Sequence, residues 1–259
     1  MGWPGILALT LATCIVIVVS SVPVAIVRDA FDDGGAFIEV VVARYAEPVE
    51  CLKRSFLRGC RLTCYNKGRE MDGLPAGVSV VPLPNVGRCD HTYLHHLVTR
   101  YDTLSPVTVF LPGSYVSNGY KNARAEAVVS RARATLTTVL QGIRFKDVRR
   151  ELGGFQMDTY SASDADNYMA NPEAALQPCK IRPFGVWYDA MFKGVRTTVM
   201  CDKGIFAVAR DHVLQHPVSR YMKLRSFVDS HSNPEAGHFI ERSWGAIFAP
   251  LPASCIQYD

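Results

Sequence analysis

The chain has 259 residues, 48% of them hydrophobic and 20% charged, with a formal net charge of +4. That is enough for one full hydrophobic core and too little for two comfortable domains. The basic residues are scattered rather than gathered into a stripe with interleaved aromatics, so nucleic acid is not an expected partner; Arg124, Arg131 and Arg133 recur only at helical spacing, as on a solvated face.

Residues 6–27 carry no charge, and at ~1.5 Å per helical residue such a run spans the ~30 Å core of a bilayer. Residues 1–27 therefore read as a signal anchor. The small residues Ser20, Ser21 and Ala25 keep a cleaved signal peptide open as the alternative. Residues 28–35, acidic and ending in Gly34-Gly35, read as a linker to a single domain over 36–259. That domain is expected in the lumen of the Golgi or endoplasmic reticulum, or outside the cell if the segment is removed. Eight cysteines suit an oxidising compartment. With Cys14 in the apolar run, Cys60–Cys64 and Cys179–Cys201 are the first pairs to expect, although connectivity stays open. No CxxC pair points to zinc.

Residues 37–43 (FIEVVVA) form a continuous β-branched run, as in a strand buried on both faces, and 48–57 has helical spacing. A second strand, 62–65, closes on Asn66-Lys67-Gly68; a third, 78–83, precedes Pro84-Asn85-Val86-Gly87. Over 90–101 the stripe Tyr93, Leu94, Leu97 and Val98 predicts a helix with Asp90 as its N-cap, and 107–111 is another buried strand, stopped by Pro112-Gly113. This alternation predicts an α/β fold with a mostly parallel, Rossmann-like sheet covered by helices. Ligands in such sheets sit at the carboxyl ends of the strands, here 44–47, 66–67, 85–88 and 112–115. Further on, the patterns predict a long helix over 124–140, loop with short helix over 141–178, and a short strand over 204–209. Helices are then expected at 211–214, 221–228 and 236–248, the last with Phe239, Trp244 and Phe248 as aromatic anchors.

Several residues invite chemistry. His91 and His95 lie one helical turn apart and resemble half a metal site, against a plain hydrogen-bonded helix start. Asp164 and Asp166 make a literal DxD in a polar stretch that reads as a solvated loop, while the strand 107–111 ends without a carboxylate. No metal site is assigned on that basis, and divalent-metal dependence stays open. Glu235 and Glu241 are candidate general bases, with a capped helix start as the competing reading of Glu235. Trp187, Tyr188 and Trp244 offer flat faces for a sugar ring, or else belong to the core.

Four stretches, Glu39-Val-Val-Val-Ala-Arg-Tyr-Ala-Glu47, Tyr65-Asn-Lys-Gly68, Leu83-Pro-Asn-Val-Gly-Arg88 with His91-Thr-Tyr-Leu94, and Gly237-His-Phe-Ile-Glu-Arg-Ser-Trp244, resemble a family found mainly in fungal and algal genomes as a domain of unknown function. Several of its members also have an N-terminal membrane segment, and the likeness covers residues 38–248. The same stretches are more weakly similar to GT-A-type glycosyltransferases, including rhamnan-synthesis-like enzymes. That likeness implies that Arg44 and Glu47 face a nucleotide, Asn66 and Lys67 its base or diphosphate, and Asn85 and Arg88 the sugar-phosphate edge. Glu241 and Arg242 would lie on the acceptor side. His91, Tyr93, Trp187, His238 and Trp244 complete the candidate substrate-binding set. In that pattern an acidic residue follows Gly-Arg, where this chain has Cys89 and then Asp90. The expected function is a nucleotide-sugar-dependent, glycosyltransferase-like one, with a nucleotide sugar and a glycan acceptor as partners and the membrane reached through the N-terminal helix. The alternative is a non-catalytic carbohydrate- or protein-binding domain, and a hydrolase using Glu47, Glu235 or Glu241 is third.

Overall fold

A computed structural model describes residues 37–157 and 176–259, all within the compact unit Ala36–Asp259. The expected membrane segment, the linker, Cys14 and the Asp164/Asp166 pair lie outside the described residues. Among those described, no helix is long and apolar enough to cross a membrane.

The strands are β1 (Ile38–Arg44), β2 (Arg61–Asn66), β3 (Val78–Pro82), β4 (Val107–Pro112), β5 (Val139–Arg144), β6 (Val199–Met200), β7 (Phe206–Ala209) and β8 (Ile256–Tyr258). The α-helices are α1 (Arg88–Thr99), α2 (Gly119–Thr135), α3 (Val148–Glu151), α4 (Phe184–Met191), α5 (Arg210–Leu214), α6 (Val218–Arg225), α7 (Glu235–Glu241) and α8 (Trp244–Ile247). All eight strands join one mixed, mostly parallel sheet in the order β3-β2-β1-β4-β7-β5-β6, with β8 on β5.

β1 is buried along its whole length because it is central and covered on both faces. Successive side chains of a strand point to opposite faces. Val41 and Ala43 accordingly enter an aromatic core with Tyr93, Phe110, Phe206, Phe239 and Trp244, while Val40 and Val42 enter a second core beneath α2. The run of β-branched residues is thus the sequence of a strand with two apolar faces.

Several expectations are corrected. Residues 48–57 form two 3-10 turns, Val49–Leu52 and Ser55–Leu57, rather than one helix. α1 starts at Arg88, with left-handed Gly87 (φ 58°) as its N-cap, so Asp90 lies in the first turn and is buried. The helix expected over 124–140 ends at Thr135, where Leu136 turns left-handed (φ 48°), and Val139 and Leu140 instead pair with Ala207 and Phe206. The final helix is two, α7 and α8, separated by Ser243, whose φ of −111° is not helical. Parallel pairing is also interrupted at β4, because β7 runs antiparallel to both β4 and β5, and it resumes only between β5 and β8.

All seven described cysteines are free thiols, so neither expected disulfide is present among the described residues. Cys60 and Cys64 are four residues apart along nearly extended chain, which separates their Cα atoms by ~13 Å, whereas a disulfide needs less than ~7 Å. Cys179 has Glu235 and Arg182 as its charged neighbours and Cys201 has Arg124 and Asp202, so the two occupy different surroundings.

Candidate functional site

From β1 the chain crosses to β2 on one side, while β4 lies on the other, so the loops leaving β1 and β4 diverge. Such a switch point is where α/β sheets open a crevice for ligands. Register fixes its floor: Arg44 is opposite Asn66, Asn66 opposite Pro82, and Ala43 opposite Pro112. A cleft of about 60 Å³ opens there, lined by Ala43, Arg44, Glu47, Lys67, Arg88, Cys89, Pro112 and Ser114. A larger one of about 560 Å³ is lined by Arg44, Tyr45, Ala46, Lys67, Gly68, Arg69 and Asn85. Arg44 and Lys67 border both.

Most of these side chains are held by the loops they hold. Arg44 donates from Nε to the Glu47 carbonyl (2.8 Å) and from Nη1 to Asn66 Oδ1 and the Arg69 carbonyl (2.7 Å each). Glu47 Oε2 accepts the Tyr45 N–H at 2.7 Å. It also packs so closely on Gly113 that a Cβ there would lie 3.0 Å from the Glu47 carboxyl carbon. Asn66 donates from Nδ2 to the Arg69 carbonyl at 2.9 Å. Lys67 Nζ donates to the carbonyls of Val86 (2.5 Å) and Arg88, which ties the end of β2 to the turn that opens α1. In that turn Gly87 and Arg88 are both left-handed (φ 58° and 51°).

α1 and α7 form the wall behind Arg88. Arg88 Nη1 lies 3.4 Å from His238 Nε2, and Arg242 donates from Nη1 to the His238 carbonyl at 3.0 Å. Burial, with help from Arg88 and Arg242, lowers His238 to about 3. Cys89 Sγ lies 3.9 Å from Asp90 Oδ2. Burial and then the charge of Glu241 push the Asp90 carboxyl well above the usual carboxylate range. Glu241 is partly exposed and lies 3.8 Å from Arg242. A carboxyl with a raised pKa under the charge of a second, partly exposed one is an arrangement suited to proton transfer.

Sequence reasoning named several residues that the fold assigns elsewhere. Glu235 is 0% exposed. Its Oε1 accepts from the Met157 N–H (2.7 Å) and Arg182 Nη2 (3.0 Å), and its Oε2 accepts from the Cys179 N–H (2.8 Å). With both oxygens occupied and no solvent path, it is a structural tie and not a base. Trp187 and Trp244 are also 0% exposed, and Tyr188 nearly so, within the aromatic core; their faces are covered by Phe192, Phe206, Phe239 and Phe248, leaving none for a sugar. Tyr93 is equally buried and donates its hydroxyl to the Gly204 carbonyl at 2.9 Å. His91 is buried on α1 with its ring 5.9 Å from that of His95, and burial lowers it to about 3. Among the described residues, no group of three or more His, Cys, Asp or Glu residues is arranged to hold a metal ion.

Arg44, Glu47, Lys67, Asn85 and Arg88 thus line the two adjoining clefts, with Asn66 bonded to Arg44 and His238 beside Arg88, whereas Glu241 and Arg242 line neither cleft. Arg69 was missed, and no sequence signal marks it, because it contributes a carbonyl oxygen to Arg44. Ser114 falls within the 112–115 strand-end margin expected from the sequence.

A family model matches residues 41–259, from inside β1 to the last residue, under the description "Protein of unknown function (DUF3431)". The chain belongs to the DUF3431 family. No curated protein matches it. Every residue of the crevice falls inside the DUF3431 match, so the site is part of the family domain and not of a segment peculiar to this chain.

Proposed function

We propose that this DUF3431 domain is a GT-A-type, nucleotide-sugar-dependent transferase of the secretory pathway, holding its donor across the crevice between β1 and β4 and passing the sugar to a glycan. The observation that carries the reading is the convergence of Arg44 from the end of β1, Lys67 from the end of β2 and Arg88 from the start of α1 on one cleft at the point where strand order reverses. The adjoining cleft of about 560 Å³ is in the ~300–1,000 Å³ range of small-molecule sites. In sugar transfer the bond from the anomeric carbon to phosphate breaks, the diphosphate leaves with the electron pair, and the acceptor hydroxyl loses a proton as it attacks. Fixed cations stabilise the leaving charge, and of the nearby carboxylates we assign the base to partly exposed Glu241, Glu47 being held by the Tyr45 N–H. The charge-free run over 6–27 supports the secretory address and a membrane anchor.

The test is to incubate the full-length protein in detergent with a panel of nucleotide sugars and oligosaccharide acceptors, following products by mass spectrometry and melting by fluorimetry. The absence of transfer, donor hydrolysis and any rise in Tm across the panel would sink the reading. A second reading, a carbohydrate- or protein-binding domain without chemistry, is favoured by one observation: β4 ends at Pro112, followed by Gly113-Ser114, and itself brings no carboxylate to the cleft. Glycan binding that needs no nucleotide would decide for it.

A further inference from the structure

The cations around the crevice are unevenly answered. Arg44 meets two carbonyls and the Asn66 amide oxygen. Lys67 is only 7% exposed, yet its Nζ meets nothing but the carbonyls of Val86 and Arg88. Among the described residues no carboxylate forms an ion pair with it. An ammonium has three N–H donors, so one is left for whatever enters the two clefts that Lys67 borders.

Its neighbours answer that charge only in part: Cys89 and Asp90 on α1 raise Lys67, but burial outweighs them. Burial and Glu241 raise the Asp90 carboxyl well above the usual carboxylate range, and burial raises the Cys89 thiol as well. His91 and His95 are both lowered by burial, with the Lys67 charge contributing. After β1, Glu47 is engaged with the Tyr45 N–H, and Arg44 adds positive charge, as does Arg88 at the start of α1. A buried ammonium without a carboxylate is costly and is relieved either by losing its proton or by acquiring an anion. Burial accordingly lowers Lys67 to about 7.

We propose that Lys67 is a proton-coupled anchor for a diphosphate: its ammonium form takes a phosphate oxygen where the two clefts meet, so that ligand and proton are taken up together. This rests on the reading above that the crevice holds a nucleoside diphosphate. The sign follows from linkage: a bound anion raises the pKa of Lys67 above its value in the free protein. Affinity is therefore full below neutral pH and is lost as pH rises, by up to about tenfold per pH unit for one proton. From pH 7.5 to 9 the diphosphates of UDP and GDP add no slope of their own, because a terminal phosphate with a second pKa of ~6 is already ionised; pyrophosphate loses its last proton in that range and tests binding only, not the slope.

The experiment is calorimetric titration of the full-length protein with UDP, GDP and inorganic pyrophosphate between pH 6.5 and 9, in two buffers of different ionisation enthalpy. For UDP and GDP, Kd is expected to rise steeply above pH 7.5, and the binding enthalpy is expected to differ between buffers through proton uptake. Lys67→Arg, which keeps its charge across this range, is expected to flatten the slope. If that variant fails to fold, the two-buffer comparison on the unaltered protein decides alone. A flat Kd with equal enthalpies, or a slope that persists in Lys67→Arg, overturns the role of Lys67 and leaves the crevice as a diphosphate site. No binding of any of the three probes at any pH overturns both.

Discussion

Arg44 Nη1 donates to Asn66 Oδ1 over 2.7 Å, joining the final residues of β1 and β2, which are register partners in the parallel sheet. The same guanidinium holds the carbonyls of Glu47 and Arg69, so it organises both loops that border the crevice. Arg44→Ala leaves those acceptors unanswered in a buried place and is expected to cost about 2–4 kcal/mol of stability. Urea denaturation measures this, and a midpoint equal to that of the unaltered protein would show that the loops are held by something else.

Arg88 makes the contrasting case. Its side chain reaches the small cleft and His238, while its left-handed backbone is shared with Gly87 and clamped through carbonyls by Lys67. Arg88→Ala is expected to keep Tm within a few degrees while weakening the response to a nucleotide sugar by at least about tenfold, the scale of one lost charge-assisted contact. A fall in Tm matching the loss of binding would assign Arg88 a structural role.

Gly87 has no room for a side chain. A Cβ there would lie 2.1 Å from the Val228 carbonyl and 2.6 Å from the Cβ of His91, at a φ of 58° that L-residues rarely adopt. Gly87→Ala is expected to destabilise the domain by more than about 1 kcal/mol. An unchanged unfolding midpoint would mean that this turn tolerates being rebuilt.

Glu235→Ala removes a buried carboxylate that answers Arg182 and two backbone N–H groups. The expected cost is about 3–5 kcal/mol, typical of breaking a buried pair from one side. Any nucleotide binding measured per folded molecule should persist, since Glu235 lies outside the clefts. Selective loss of binding at full stability would restore the reading of Glu235 as a site residue.

Acid should unfold the protein through its histidines. Burial lowers His91 to about 3, His96 to about 4 and His238 to about 3, so each stays neutral in the fold at pH values where the unfolded chain takes up a proton. A group whose folded pKa is depressed contributes no penalty above its unfolded value, ~6.5 for histidine, and costs stability as pH falls from there towards the folded value. Melting temperature should therefore decline from pH 7 to pH 4. His96, 3.9 Å from Glu39 and 3.1 Å from the Tyr65 hydroxyl, is the most enclosed of the three. His96→Gln should lessen the decline, and an unchanged profile would exclude its contribution.

Local pattern carried the first half of the fold. An unbroken β-branched run means two apolar faces, and turn residues after each run mark the strand ends; for that reason 44–47, 66–67 and 85–88 were legible as a site margin before any coordinates. Periodicity over a few residues cannot report which partner a segment finds. Val139 and Leu140 continue a helical stripe in sequence, yet they become strand because Ala207 and Phe206 offer a ladder. The same long-range pairing inserts β7 in reverse beside β4.

Burial of the site residues was equally beyond local reading. Trp187 and Trp244 have the composition of a sugar platform, and Glu235 that of a catalytic base. Whether an aromatic face or a carboxylate meets solvent depends on what packs over it from elsewhere in the chain: here Phe206 and Phe248 cover Trp244, and Met157, Cys179 and Arg182 enclose Glu235. By itself the sequence determined the strand-and-turn order of the first half and which residues stand at its strand ends, because those follow from neighbouring side chains and backbone preference. Only the tertiary structure decided which charges are answered, since a buried charge is satisfied by atoms distant in sequence; among the described residues Lys67 is a buried cation whose ammonium meets only carbonyls.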